Sequence, residues 1–345
     1  MKEVGRINMK IRTALILLLT LFNHLSGFTQ SDLLALADAD SAFVRKHTLP
    51  NDLRLFYGVQ GNNVSLGTTR SGDTQFNGNV YANTNDYVGM GITYKWLDGD
   101  LSFSLPGTTY LNEERSNLTQ FKLSMSYTQW NMVFRGYYSE SKGLLMSGVD
   151  DEFQSTPSLH EVRMGVQITY LFNNTRYSYR AAMYQSEFQM KTAGSFLLRV
   201  EPFYRNLGGQ SGSMIPAAYD LPERYGDQAG LEYIKAPGIL FMPGYGINIA
   251  IPNTHFFISP MVFAGVAFNS YESKNGKDSY TNVEYAANFN LNAGYNGSRY
   301  YSKIQFNWAA GYSPLDPSYF TSNNLMLSLW VGMRFKDVEK FIPRY

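Results

Sequence analysis

The sequence predicts an all-β protein, namely a transmembrane antiparallel up-and-down β-barrel of about 12–14 strands. Three observations predict this class. Apolar and polar residues alternate through most of the chain, which is the period of a strand. Short turns alternate with longer polar connections, as in outer-membrane barrels with short periplasmic turns and long extracellular loops. The 345 residues are 15% aromatic and only 17% charged, and they include no cysteine, which excludes a disulfide scaffold and a thiolate metal site.

The N-terminus carries an export signal. Lys10 and Arg12 precede an apolar run over residues 14–22, and small residues follow. This order predicts a secretory signal peptide over residues 1–29, with cleavage between Thr29 and Gln30. The run is too short to span a bilayer as an anchor. We expect residues 30–52 to form a short periplasmic segment, with a weak helical pattern over residues 31–47 that ends before Pro50.

The barrel is expected over residues 53–335, followed by a periplasmic tail over residues 336–345. Period-two alternation predicts thirteen strands. They cover residues 53–60, 87–96, 101–105, 118–128, 132–139, 161–172, 177–186, 195–204, 239–251, 256–270, 283–295, 300–312 and 324–335. Both chain ends should lie in the periplasm, so the number must be even. A further strand within residues 205–235 would give fourteen, which we favour, and one strand split in two would give twelve.

Aromatic spacing fits the height of a membrane. Tyr285 and Tyr295 share a face and lie ten residues apart. At ~3.3 Å per residue and a tilt of ~40°, they span ~25 Å along the membrane normal, the height of the apolar band of a barrel. The last strand presents a row of apolar residues that ends at Phe335. This ending is similar to the signal read by the barrel-insertion machinery, so outer-membrane lipid and that machinery are expected partners.

Several segments resemble a known family. They are Ser102 to Gly107 (SFSLPG), Tyr179 to Leu198, Pro243 to Gly246 (PGYG) and Phe256 to Ser259 (FFIS). These segments resemble the Bacteroidota outer-membrane barrel family called domain of unknown function 4421, over residues from about 38 to 335. The resemblance implies a barrel fold in the bacterial outer membrane, and it implies no activity, cofactor or catalytic residue.

Charged residues within the strands are expected to face the lumen, because a cation at the lipid midplane costs about 2–4 kcal/mol. Nine are cations and two are carboxylates: Arg54, Lys95, Lys122, Arg135, Arg163, Arg180, Arg199, Lys303 and Arg334, with Glu201 and Glu284. This excess predicts a passive pore or solute transporter with a basic lumen that takes a small anionic solute. The alternative is a structural or interaction barrel with a plugged lumen. Its extracellular loops at 140–160 and 205–235 would bind an unknown protein partner.

Other functions are poorly supported. A net charge of +1 without a basic run argues against nucleic-acid binding. His160 is the one histidine placed for a rim-located hydrolase, close in sequence to Asp150 and Asp151, but a lone histidine at a strand end is usually a solvated residue. The acidic clusters lack the pattern of a calcium loop. We therefore expect no enzyme activity, no metal and no cofactor.

Overall fold

The structure is a computed structural model. It describes residues 39–68, 77–95, 97–108, 119–129, 131–147, 153–209, 232–273, 280–315 and 318–336. Fourteen strands and one helix form in this part of the chain. They are β1 (Val44–Lys46), β2 (Asn51–Thr68), β3 (Asn77–Tyr94), β4 (Leu97–Ser104), β5 (Thr119–Gln129), β6 (Met132–Ser147), β7 (Phe153–Leu171), α1 (Tyr179–Met183), β8 (Glu187–Gln189), β9 (Ala193–Gly209), β10 (Tyr233–Ala250), β11 (Phe256–Ser273), β12 (Tyr280–Asn296), β13 (Tyr300–Leu315) and β14 (Ser318–Phe335).

Twelve of these strands close into an antiparallel barrel. Each barrel strand pairs with the next along the chain, and β14 closes the ring on β2, from Ser318 opposite Thr68 to Phe335 opposite Asn51. The strands β1 and β8 form a separate two-stranded sheet. Because β4 and β5 are short, β3 also pairs directly with β6 above them. The predicted barrel class is confirmed.

The strands place apolar side chains outside and polar side chains inside. On β14, Leu327 and Leu329 are 47% and 54% exposed, whereas Ser328 between them is 3% exposed. The same alternation exposes Tyr285 and buries Glu284 and Asn288 on β12. A water-soluble protein has the opposite arrangement, so this exterior suits lipid. Within the described residues, no helix is long and apolar enough to cross a membrane.

The two ends of the barrel differ. At the turn end, strands are joined through residues 95–96, 130–131, 251–255 and 297–299 and through the longer connection 172–192; the loop end has the remaining connections. Lys95 and Asn253 adopt φ of 58° in these tight turns. At the loop end the strands run further than predicted, so that most of 140–160 and 313–323 is strand rather than loop. An 18-residue strand rises ~45 Å at ~40° tilt, well beyond an apolar band of ~25 Å.

The strand number is twelve, and our preference for fourteen is wrong. Of the thirteen predicted strands, the one over residues 177–186 does not form, because this segment holds the helix α1. Strand β9 ends at Gly209 and strand β10 begins at Tyr233. Residues 210–231, where a further strand was predicted, lie outside the described residues. The helical pattern over 31–47 is also wrong in its described part, where a turn precedes β1. The signal peptide, the Thr29–Gln30 cleavage site and residues 337–345 lie outside the described residues.

Candidate functional site: the lumen and its plug

The connection between β7 and β9, residues 173–192, folds back into the turn end of the barrel, and we call it the plug. Ser178 caps α1, since its Oγ accepts a hydrogen bond of 2.9 Å from the Ala181 amide. The strands that flank the plug are already paired, with Leu171 opposite Leu197. A short hairpin turn would therefore join them, so the plug is an addition to the barrel rather than a necessary link.

Hydrogen bonds tie the plug to barrel strands around the ring. The Tyr184 hydroxyl lies 2.7 Å from Ser126 Oγ on β5, and Asn248 Nδ2 on β10 donates to the Ser178 carbonyl at 2.8 Å. Arg334 Nη2 on β14 donates to the Gln185 carbonyl at 2.5 Å. Lys303 Nζ on β13 donates to the Met183 carbonyl. These contacts close the turn end of the lumen.

The plug also contributes to the main apolar core inside the barrel. Tyr177, Tyr179 and Met183 pack with buried side chains from the surrounding strands, including Met261 and Phe263. Gly246 leaves room for Tyr177, because a Cβ at that position would lie 2.6 Å from the Tyr177 hydroxyl. At ~1.5–3 kcal/mol for each large apolar side chain buried, this core gives the plug a substantial preference for the docked position.

A second layer covers the plug at the turn end. Strand β1 pairs with β8 of the plug, and Phe188 packs between the Arg45 guanidinium at 5.4 Å and the His255 ring at 5.2 Å. His47 follows β1 and lies edge-on to Phe188, with ring centroids 6.3 Å apart. Burial, reinforced by the positive charge of Arg334, lowers the pKa of His47 to about 4. The neutral imidazole is therefore the form that this layer accommodates.

At the turn end of β2, Arg54 binds three carboxylates, and we call this group the floor network. The Arg54 guanidinium lies 3.1 Å from Asp52, 3.9 Å from Asp98 and 2.7 Å from Asp100. The Tyr301 hydroxyl donates to Asp52 at 2.8 Å, and the Thr93 hydroxyl donates to Asp98 at 2.5 Å. Each carboxylate thus has a partner, as buried charges require.

Further from the turn end, not every described lumen cation is paired with a carboxylate. Lys122 and Arg199 form no salt bridge within the described part of the chain. Arg199 Nη1 donates to Asn288 Oδ1 at 3.3 Å and its guanidinium lies 3.9 Å from the Phe263 ring, while its Nε is buried without a hydrogen-bond partner. Arg163 binds Glu161 at 2.5 Å. Glu201 accepts a hydrogen bond of 2.6 Å from Tyr137.

A row of amides on β12 and β13 adjoins Arg199. Asn307 Nδ2 donates to Asn290 Oδ1, and Asn290 Nδ2 donates to Asn288 Oδ1 at 2.6 Å. Asn288 Nδ2 donates to the Trp308 carbonyl at 2.9 Å. We call Lys122, Arg163, Arg199, Asn288, Asn290 and Asn307 the mid-lumen cluster. All six lie six to eight residues from the turn-end terminus of their strands, and hence at a similar height.

The mid-lumen cluster lines a cavity of about 380 Å³ whose floor includes Tyr179, Met183 and Tyr184 of the plug. Among the described residues, its lining has seven cations and four carboxylates. They are Arg54, Lys122, Arg135, Arg163, Arg199, Arg205 and Lys303, with Asp100, Glu161, Glu201 and Glu284. The cavity is positively charged overall, and its volume falls in the ~300–1,000 Å³ range of small-molecule sites.

Nine of the eleven predicted lumen residues lie on the inner faces of strands. They are Arg54, Lys122, Arg135, Arg163, Arg199, Glu201, Glu284, Lys303 and Arg334. The prediction is wrong for Lys95, which lies in the turn after β3, with its ammonium 5.3 Å from the Tyr94 ring. Arg180 lies on α1 of the plug rather than on a strand, and its Nη2 donates to the Lys95 carbonyl at 3.2 Å.

The sequence reasoning missed five further charged lumen residues, namely Asp52, Asp98, Asp100, Glu161 and Arg205. Four are acidic, so the excess of cations is smaller than predicted. Asp98 and Asp100 had a usable signal, because they alternate with Leu97 and Leu101. The Asp and Gly content of residues 97–100 favours a turn, which is why this segment falls between two predicted strands. Glu161 likewise keeps the period of Arg163.

His160 lies on β7, where the strand alternation directs it away from the lumen. Its Nε2 is 2.9 Å from Glu140 Oε1, and Lys142 Nζ is 3.0 Å from the same oxygen. No group of three or more histidine or acidic side chains in the described ranges is arranged to hold a metal ion. These contacts give His160 an ordinary hydrogen-bonding role near the surface.

The sequence matches the family described as Domain of unknown function (DUF4421) over residues 38–335. The chain belongs to this family. Comparison with curated proteins finds no match. Similar solved structures include the outer membrane protease OmpT of Escherichia coli, with 9% identity, 84% of this chain and 98% of that chain covered, and a TM-score of 0.37.

Two further solved structures illustrate the range of barrels found. The β domain of the Bordetella autotransporter BrkA is 12% identical, with 85% of this chain and 100% of that chain covered and a TM-score of 0.38. An outer membrane channel from Pseudomonas putida F1 is 9% identical, with 84% and 97% covered and a TM-score of 0.36.

Proposed function

We propose that this DUF4421 chain is an outer-membrane barrel that admits small anionic solutes into a basic lumen and keeps the turn end closed by the plug. The observation that carries the proposal is the cation-rich cavity directly above the plug. An open barrel of this kind would be a passive pore. The docked plug makes passage dependent on its displacement, so we describe the barrel as a gated pore.

The exterior supports a location in the outer membrane. Exposed aromatic side chains lie near the turn end at Phe172, Phe196 and Tyr300, and further along the strands at Tyr285 and Tyr312. The apolar residues between them face outward. Aromatic girdles on either side of an apolar band are the usual exterior of a barrel in lipid. The turn end would face the periplasm and the loop end the outside of the cell.

The lumen supports a preference for anions. Positive potential along a narrow passage raises the local concentration of anions and excludes cations. Lys122, Arg199 and Lys303 are lumen cations without a carboxylate partner among the described residues. The floor network, by contrast, has one cation against three carboxylates, so it does not add to the preference for anions.

A second candidate is a closed interaction barrel, and the extensive contacts of the plug favour it. In that case the lumen network is structural, and the loop end binds a protein partner. We propose no enzymatic role for either candidate. His160→Ala should leave unchanged any hydrolytic activity found in the purified protein; loss of that activity would reopen the hydrolase hypothesis.

The two candidates differ in what happens when the plug is removed. In one variant, residues 175–193 are replaced by an Asn-Gly turn, which suits a two-residue hairpin and keeps the register that places Leu171 opposite Leu197. Wild-type and variant proteins are inserted into planar bilayers after their folding is checked by heat-modifiable gel migration. We expect little steady current from the wild type and stepwise, anion-preferring current from the variant, read from the reversal potential across a salt gradient.

A reducible lock provides the matched control. Arg45 and Phe188 are opposite each other in the β1–β8 sheet, and antiparallel partners lie within the Cα separation of a disulfide. Because the chain has no cysteine, Arg45→Cys with Phe188→Cys creates one pair. Wild-type openings at high voltage should disappear when this pair is oxidised and return on reduction. A silent plug-deleted variant would favour the interaction barrel, and a cation-preferring one would contradict the proposed selectivity.

A further inference from the structure

We infer that the mid-lumen cluster is a binding site for a small acidic sugar, that is, a compact solute with one anionic group on a polyhydroxylated body. This inference rests on the proposed function, since it names the class of anion that the lumen would take. The observation behind it is that three cations and three neutral amides line one cavity at one height, and that they meet where Arg199 contacts Asn288.

The cations form one wall. Lys122, Arg163 and Arg199 project from β5, β7 and β9, which lie on one side of the ring. The Phe263 ring holds the Arg199 guanidinium, and the Arg199 Nε remains without a partner. A carboxylate or phosphate would satisfy this donor, and a planar guanidinium suits either group. The wall is therefore preorganised for one anionic group.

The amides form the other wall. β12 is six strands from β5 but only three from β9 in the closed ring of twelve, so the amides face Lys122 across the lumen and adjoin Arg199. Asn288, Asn290 and Asn307 are linked in one direction by their own hydrogen bonds. An amide both donates and accepts, as does a hydroxyl group. The three amides carry no charge themselves, although Glu284 and Lys303 lie on the same two strands, so the amides would bind hydroxyl groups rather than a second ionic group.

The size and polarity of the cavity exclude other classes of ligand. A volume of about 380 Å³ is at the lower end of small-molecule sites, which is too little for a polymer segment. A hydrocarbon would leave the buried Arg199 Nε without a partner, at a cost in free energy. A simple inorganic anion would use the cationic wall alone. Only a solute that is anionic at one end and hydroxylated elsewhere uses both walls.

The test is isothermal titration calorimetry on the full chain, folded in detergent. Glucuronate, glucose 6-phosphate, glucose and acetate are the four probes. We expect either acidic sugar to bind at least about tenfold more tightly than both glucose and acetate, since each wall contributes at least one hydrogen bond of about 1.4 kcal/mol. The tighter of the two acidic sugars identifies the carboxylate or the phosphate as the preferred group.

Variants assign the binding to the two walls. Arg199→Gln should weaken binding of the acidic sugar about tenfold or more, and Asn290→Ala should weaken it severalfold without strengthening acetate. Arg299→Gln, at an exposed turn, is the matched control and should change nothing. If Arg199→Gln fails the gel-migration test of folding, Arg199→Lys and Asn290→Ala still test the two walls separately.

The inference is overturned if acetate binds as tightly as glucuronate, if glucose does, or if none of the probes binds. This readout does not depend on conductance. An anion-preferring current through the plug-deleted variant without sugar binding would leave the gated pore standing and remove the sugar site. Sugar binding without any current through the plug-deleted variant would support the sugar site and contradict the gated pore.

Discussion

Arg54 is predicted to be the most sensitive charged residue of the barrel. Its guanidinium lies within 4 Å of three carboxylates, and both it and Asp52 are almost fully buried. Replacing Arg54 by Met keeps much of the volume but leaves three carboxylates together. Removing one partner of a buried ion pair costs about 3–5 kcal/mol. Because Asp52 and Asp98 keep hydroxyl donors, we expect a loss near the lower limit, about 3 kcal/mol.

The assay is equilibrium urea unfolding in lipid vesicles, followed by tryptophan fluorescence. Arg299→Met is the control, and it should change the free energy of unfolding by less than about 0.5 kcal/mol because Arg299 is exposed. Adding Asp100→Asn to Arg54→Met should restore about 1 kcal/mol or more, since it removes one unpaired charge. A loss below about 1 kcal/mol for Arg54→Met would refute the view that this network is tightly coupled.

Three further predictions follow from the same structure. Gly91→Ala should destabilise the barrel by about 1–3 kcal/mol, because a Cβ there would clash with Arg54 and Asp100, whereas Gly136→Ala, with nothing within 4 Å, should be neutral in the same unfolding assay. Leu329→Arg should cost about 2–4 kcal/mol in lipid, and Leu329→Met should not. The pKa of His47 is about 4 in the docked state, below its ordinary value of 6.5, so docking of β1 should weaken as pH falls from 6.5 towards 4 and level off below. Hydrogen exchange of the β1 amides, corrected for intrinsic rates, should show this, and His47→Gln should abolish it; an unchanged pH dependence in that variant would contradict the assignment.

The faces of the strands were predictable because a barrel in lipid separates apolar from polar residues at every second position. Phe289 and Leu291 alternate with Asn288 and Asn290 over the full height of β12, and the structure keeps that phase. Strand ends at the loop side were not predictable in the same way. Above the apolar band both faces meet water, so the alternation that marks a strand in lipid fades there.

The plug was missed for a different physical reason. A helix is visible in a sequence when one face is apolar and the other is polar over several turns. α1 has only five residues, and the barrel surrounds it, so Tyr179, Ala181, Ala182 and Met183 are buried on every side. The resulting pattern is indistinguishable from a short strand. Its polar groups bond to strand residues distant in sequence, such as Asn248 and Arg334, and no local pattern encodes those contacts.

The central claim, a reachable and positively charged lumen, is tested most directly by a single cysteine in this cysteine-free chain. Asn290→Cys places a thiol on the cavity wall, and Asn253→Cys, in an exposed turn, is the reference. The rates of reaction with anionic and cationic methanethiosulfonate reagents of similar size are compared in the folded protein. We predict that the anionic reagent, normalised to the reference, reacts faster at position 290. Equal rates, a faster cationic reagent or an unreactive thiol would contradict the account.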